Sequence, residues 1–198
     1  MRVKICGITN IEDAQMAIKA GADALGFVFY EKSPRYISPK DSAQIISKLP
    51  PFIEKVGLFV NENVKNIEKN FQISGISLAQ LHFDISDDEV QKLVIPYIRV
   101  IRAETKTDLD KYSDEYRFID AFVEEFGGAG KRLNLEWFKN RDNSKTILAG
   151  GLTPDNLHEL ENFGFFGVDV SSGVEKSKGK KSKEKTLSFV QISKNISN

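Results

Sequence analysis

Cysteine is nearly absent: Cys6 is the only one in 198 residues. One thiol cannot close an internal disulfide, which removes any argument for a disulfide-stapled secreted scaffold. Histidine occurs twice, at His82 and His158, far from each other and from Cys6 in sequence. That is poor material for a transition-metal site. No segment approaches the roughly 18 uninterrupted apolar residues of a membrane span, and the N-terminus carries no apolar stretch after a basic start. The expectation is a cytoplasmic protein with no membrane partner. Charge of one sign is also lacking. Lys+Arg and Asp+Glu both total 28, so the formal net charge is zero. Nothing draws such a surface to nucleic acid, and any anion site must be local. Finally, no Gly-x-Gly-x-x-Gly follows the first apolar run, where "CGITN" stands instead.

What is present alternates between two textures. Short apolar or β-branched runs recur as "VKICGI", "ALGFVF", "KVGLFV", "SLAQLHF", "IRVIRA", "RFIDAF", "TILAGG" and "GVDVSS". Helix-like stretches lie between them. In "NIEDAQMAIKAG", Thr9 or Asn10 can cap a helix whose stripe is Ile11, Ala14, Ala17 and Ile18, and Gly21 can end it. "SPKDSAQIISKLP" repeats the design with Ser38 as cap, Pro39 in the first turn and Pro50 as stop. "TPDNLHELENFG" does so again from Thr153 to Gly164. Repeated strand and helix imply a parallel sheet with helices outside. Eight strands in this length leave about 25 residues per unit, compact for a (β/α)8 TIM barrel of usual size ~250. An open doubly wound sheet is the alternative, but it would be expected to carry the missing glycine fingerprint. No linker or composition break divides residues 1–198, so one barrel domain is expected. The sixth unit has room for only a short helix, and the lysine-dense "SKGKKSKEK" reads as a solvated loop before the last helix.

Active sites of such barrels lie at the C-terminal strand ends. There the chain delivers Cys6, Arg35, Gln80 and His82, Arg102, Asp120, Gly150 with Gly151, and Ser171, Ser172 and Gly173. Glycines let backbone approach an anion, and amides at a helical turn point at it. Two such loops in consecutive units, the seventh and eighth, point to a phosphate grip; either alone would read as a turn. Arg35 could fork a carboxylate or be a solvated surface charge. Asp120, ending an apolar strand, could have a raised pKa and act as an acid, or could brace a loop. Cys6 is by frequency a small core residue. Its strand-end position, with Gly7 leaving space beside it for a substrate, favours function, and a thiol of reference pKa ~8.5 can be lowered enough to act as a base. His82 could stand behind the reacting groups or beside a phosphate, although a lone histidine at a strand end is more often structural. His158 reads as surface.

The segments "VKICGIT", "GADALGFVFYEKSPRYIS", "VGLFVNE", "QLHF", "FIDAFVEEFGGAGK", "LAGGLTPDN" and "GVDVSSGVE" resemble the phosphoribosylanthranilate isomerase family, in the family's order and over nearly the whole chain. The resemblance implies an Amadori rearrangement in tryptophan biosynthesis, without cofactor or metal, acting on a small phosphosugar. By motif match it places Cys6 as general base, Asp120 as general acid and Arg35 on the anthranilate carboxylate. The backbone of Gly150 and Gly151, with Ser171, Ser172 and Gly173, would hold the phosphate. Residues after "GGAGK" would close over the site. The chain departs from the usual pattern at Phe83, after "QLH", and at Arg102, where the family usually has lysine. Either a monomer or a homodimer is compatible with the sequence. A phosphate-binding barrel of another class, or a non-catalytic phosphosugar-binding protein, is the alternative; keeping both Cys6 and Asp120 argues against the latter.

Overall fold

A computed structural model of the chain describes residues 1–121 and 132–196. Eight parallel strands close into a barrel in sequence order: β1 Arg2–Cys6, β2 Ala24–Val28, β3 Glu54–Phe59, β4 Leu78–Leu81, β5 Tyr97–Ala103, β6 Arg117–Ala121, β7 Thr146–Leu148 and β8 Gly167–Val170. Each arises from one of the eight apolar runs. Closure is made by β8 pairing back onto β1, with Lys4 beside Asp169 on one side and Ala24 of β2 on the other. The barrel, rather than the open sheet, is therefore the fold.

Local signals explain the outer helices. In α1 (Ile11–Ala20), Asn10 accepts from the Asp13 amide, and Gly21 at φ +101° turns the chain out of the helix. Ala14 and Ala17 are fully buried; small side chains there let the helix lie close on the strands. Ser38 caps α2 (Pro39–Ile46) and Asn63 caps α3 (Val64–Ser74). A single turn, α4 (Asp87–Val90), follows β4. The helix expected after Thr153 forms as a 3-10 helix, Pro154–Leu160. Its rise of ~2.0 Å per residue against ~1.5 Å for an α-helix lets seven residues span more of the gap between β7 and β8. The short sixth-unit helix is a 3-10 turn, Leu135–Phe138.

One expectation is overturned. "SKGKKSKEK" is no solvated loop: it supplies part of a two-stranded hairpin, β9 (Glu175–Ser177) with β10 (Lys180–Lys181), and then the start of α5 (Lys183–Asn195). Lys181 is buried at 2% exposure because Glu175 and the Ser171 carbonyl receive its ammonium. Lysine density alone could not reveal those partners.

Apolar side chains fill two regions. Ile5, Leu25, Phe27, Phe165 and Phe189 are part of the layer between strands and helices. Inside the barrel, Ile98, Val100 and Phe118, flanked by Leu78 and Ile147, plug the N-terminal end. Burying each large residue of this kind stabilises the fold by roughly 1.5–3 kcal/mol. Beyond this layer, toward the C-terminal strand ends, the same inward faces of β5 and β6 carry Arg102 and Asp120. At the plugged end a cavity of about 630 Å³ opens beside Phe52, which is fully exposed at φ +64°. Among the described residues, no helix is long and apolar enough to cross a membrane.

Candidate active site

Cys6 is the last residue of β1 and is 4% exposed. Gly26 stands beside it on β2. A Cβ on Gly26 would lie 2.8 Å from the Cys6 sulfur and 3.0 Å from Lys4 Nζ. The thiol therefore sits in the space that Gly26 leaves. Gly7 has φ +79°, and its amide and that of Ile8 both donate to the Gly26 carbonyl. Its missing side chain does not make room for a substrate, as its position beside the thiol suggested. A Cβ there would lie 2.7 Å from Arg35 Cδ and 3.1 Å from Ser171 Oγ, so the stem of Arg35 fills the gap.

The thiol is not lowered in the resting protein. Burial pushes it up, Lys4 and Lys181 pull it down, and Asp169 pushes it up again; burial prevails. Lys4 Nζ lies 2.9 Å from Asp169 Oδ1, with both side chains nearly buried, and 5.2 Å from the centre of the Phe118 ring. Because Phe118 is on β6, the lysine reaches across the barrel interior.

Asp120, near the end of β6, is pushed up to about 6, first by burial and then by the charge of Asp169. The Ala121 amide, Arg102 and Lys4 oppose this. Arg102 is its register neighbour on β5. His82 Nε2 stands 3.8 Å from Asp120 Oδ2. Burial first, then the charges of Arg102 and Lys4, push His82 down to about 3. A neutral imidazole at that distance is a polar neighbour of Asp120 and not an ion-pair partner at neutral pH.

Arg35 is no solvated surface charge: it is 7% exposed, and its Nε and Nη2 each donate at 2.8 Å to the two oxygens of Glu175. Lys181 Nζ reaches the same carboxylate at 3.0 Å. Burial pushes Glu175 up, but Arg35 and Lys181 outweigh it and hold the carboxyl below its ordinary value. Two cations share one carboxylate, so the cluster carries one net positive charge. Nη1 of Arg35 makes no hydrogen bond among the described residues.

The loops after β7 and β8 meet. Gly150 and Gly151 have φ +90° and +63°, conformations that L side chains resist. Gly173 touches the other loop so closely that a Cβ on it would lie 1.9 Å from the Leu152 carbonyl oxygen. Asn156 donates to the Gly151 carbonyl and accepts from the Thr153 amide, which pins the first loop. Ser172 opens a short 3-10 turn, Ser172–Val174. Ser171 Oγ is buried with no hydrogen-bond partner among the described residues.

The barrel thus brings Cys6, Arg35, His82, Asp120, Gly150, Gly151, Ser171, Ser172 and Gly173 to one end. His158 is exposed on the outside. The segment "GGAGK" lies outside the described residues; of the residues after it, read as closing over the site, Arg132 pairs with Glu159 at 2.6 Å and Leu135–Phe138 form the 3-10 turn. Asp169 stood at the strand-eight end in the sequence but without a role, and Lys4, Gly26, Glu175 and Lys181 were not singled out. Lys4 and Asp169 had a signal, each being a charged residue inside a short apolar strand. Lys181 had none, since it stands in a run of lysines.

A closed parallel barrel with a thiol, a carboxylate of raised pKa and glycine-serine loops at one rim defines an enzyme of the (β/α)8-barrel class. The sequence matches the family model of N-(5'-phosphoribosyl)anthranilate (PRA) isomerase over residues 3–192. The chain belongs to that family. It is 56% identical over 196 residues, covering 99% of this chain and all of the relative, to an N-(5'-phosphoribosyl)anthranilate isomerase of Sulfurovum sp. (strain NBC37-1). Among solved structures it is similar to phosphoribosyl anthranilate isomerase from Thermotoga maritima, at TM-score 0.91 and 36% identity, covering 99% of this chain and 100% of that one. It is also similar, at TM-score 0.83 and 36% identity with the same coverage, to a phosphoribosyl anthranilate isomerase in complex with reduced 1-(o-carboxyphenylamino)-1-deoxyribulose 5-phosphate.

Proposed function

We propose that this rim converts N-(5-phosphoribosyl)anthranilate to 1-(2-carboxyphenylamino)-1-deoxyribulose 5-phosphate, a step of tryptophan biosynthesis, with Cys6 as base and Asp120 as acid. One observation carries the assignment: a buried thiol that ends β1 and a partly buried carboxylate of raised pKa, one residue before the end of β6, stand at the same barrel rim. Asp120 protonates the furanose ring oxygen, and the sugar opens to a Schiff base. The Cys6 thiolate then removes the C2' proton, giving an enol-amine that tautomerises to the ketone. With a pKa of about 6, roughly one Asp120 in ten keeps its proton at pH 7, against about one in a thousand for an ordinary carboxyl.

Anchors at both ends would align C2'–H with the sulfur. The amides around Gly150, Gly151 and Ser171–Gly173 take the phosphate, with Ser171 Oγ as a further donor. Arg35 offers its Nη1 edge to the anthranilate carboxylate, while the Glu175 fork holds the guanidinium still. The net positive charge of the Arg35–Glu175–Lys181 cluster draws an anion to that side. Neutral His82 neighbours Asp120 without competing for its proton. The only partner this chemistry requires is a small phosphosugar, in a cytoplasmic protein that is a monomer or a homodimer. Phe52, fully exposed beside the cavity at the plugged end, supports the homodimer.

Micromolar protein should accelerate the decay of phosphoribosylanthranilate fluorescence, with or without a chelator. Absence of decay would sink the assignment. Arg35→Ala should raise KM on the order of tenfold or more and lower kcat less, because it removes binding that ground and transition states share. It should also lower the melting temperature, since Glu175 loses its fork and remains buried. An unchanged KM in steady-state kinetics would put the carboxylate elsewhere.

A further inference from the structure

A base as buried as Cys6 has lost the water that would solvate its thiolate, and some group must replace it. Around the sulfur stand Lys4 on β1, Asp169 on β8 and Lys181 on β10. Asp120, His82 and Arg102 face the same interior from β6, the end of β4 and β5. Lys181 is occupied by Glu175 and the Ser171 carbonyl. Lys4 differs. Its ammonium and the Cys6 sulfur both border the space above Gly26, 3.0 and 2.8 Å from where a Cβ would stand. The Lys4 charge favours the thiolate. The ammonium itself donates to Asp169 at 2.9 Å.

Burying lysine in a barrel interior costs several kcal/mol before its partners repay it. An apolar side chain could have filled the position, as Phe118 does on β6. We infer that Lys4 is a positioning residue for the base: its ammonium, held by Asp169, is the counter-charge against which the Cys6 thiolate forms, and Gly26 keeps open the space where sulfur and ammonium meet. The thiol loses its proton to solvent before turnover. The thiolate later takes the C2' proton and becomes the thiol, and Lys4 keeps its own proton throughout.

The inference rests on Cys6 being the base, but its test reads the thiol without turnover. With a single cysteine, the pH titration of thiolate ultraviolet absorbance reports Cys6 alone once the matching Cys6→Ala background is subtracted. Lys4→Met should move the midpoint up by about one pH unit or more. It should also lower kcat about tenfold or more with little change in KM. The double variant Lys4→Met/Asp169→Asn also removes the carboxylate charge that pushes the thiol up, so its midpoint should still rise, by less than in Lys4→Met. Should both fail to fold by circular dichroism, Gly26→Ala decides. It keeps both charges but pushes sulfur and ammonium apart, and the midpoint should again rise. A folded variant with an unmoved midpoint overturns the role of Lys4. Loss of the isomerase reading would appear differently, as wild-type protein without fluorescence decay.

Discussion

Replacing Cys6 by alanine is expected to lower kcat by about a hundredfold or more while KM changes little, the signature of a group that acts only in the transition state. Such a loss corresponds to about 2.7 kcal/mol of barrier. The structure makes the experiment clean. Only the sulfur is removed, and it lies in the space that Gly26 leaves open. Lys4 keeps its pairing with Asp169 at 2.9 Å, so no buried charge is stranded. Circular dichroism and melting temperature should stay close to those of the parent protein. Cys6→Ser should be nearly as inactive, because a hydroxyl holds its proton far more tightly than a thiol. Near-wild-type turnover by Cys6→Ala would show that the base lies elsewhere.

Asp120→Asn should also lower kcat about a hundredfold or more, and with it a second effect of opposite sign should appear. The folded-state pKa of Asp120 is about 6, above the ~3.9 of an unfolded chain. Between those values the folded protein binds more protons than the unfolded one. Stability therefore falls as pH rises through about 4 to 6, and the full penalty, on the order of 2–3 kcal/mol, is present above about 6. Asparagine carries no charge to desolvate. The variant should be more stable than the parent at pH 8, and the difference should close as pH falls toward 4. Chemical denaturation at the two pH values checks this. Lower stability of the variant at pH 8 would mean that the carboxylate charge is favourable where it sits, contrary to its burial near Asp169. The dead but more stable protein is the mark of a charge held for chemistry.

Pairs of anchors and reacting groups were legible in different degrees. The eight strands were readable because a parallel barrel buries both faces of each strand, leaving short, nearly continuous apolar runs. Caps such as Asn10 and Ser38 were readable because capping is local. So were the glycine loops of the seventh and eighth units. The 3-10 form of Pro154–Leu160 was not legible, since it depends on the distance the segment must cover. Glu175 and Lys181 were invisible as partners of Arg35. Glu175 lies 140 positions from Arg35, and no periodicity links them.

The sequence by itself determined the alternation of strand and helix, the order of the units and the residue types delivered to each strand end. These depend on neighbours within a few positions, where propensity, spacing and capping act. Only the closed barrel decided how those residues behave. It filled the gap at Gly7 with the stem of Arg35, turned a charged surface candidate into a buried fork, raised Asp120 by burial, and set Lys4 and Asp169 beneath the thiol. Burial and electrostatics at a site are sums over groups from every strand, and those groups become neighbours only when β8 closes onto β1.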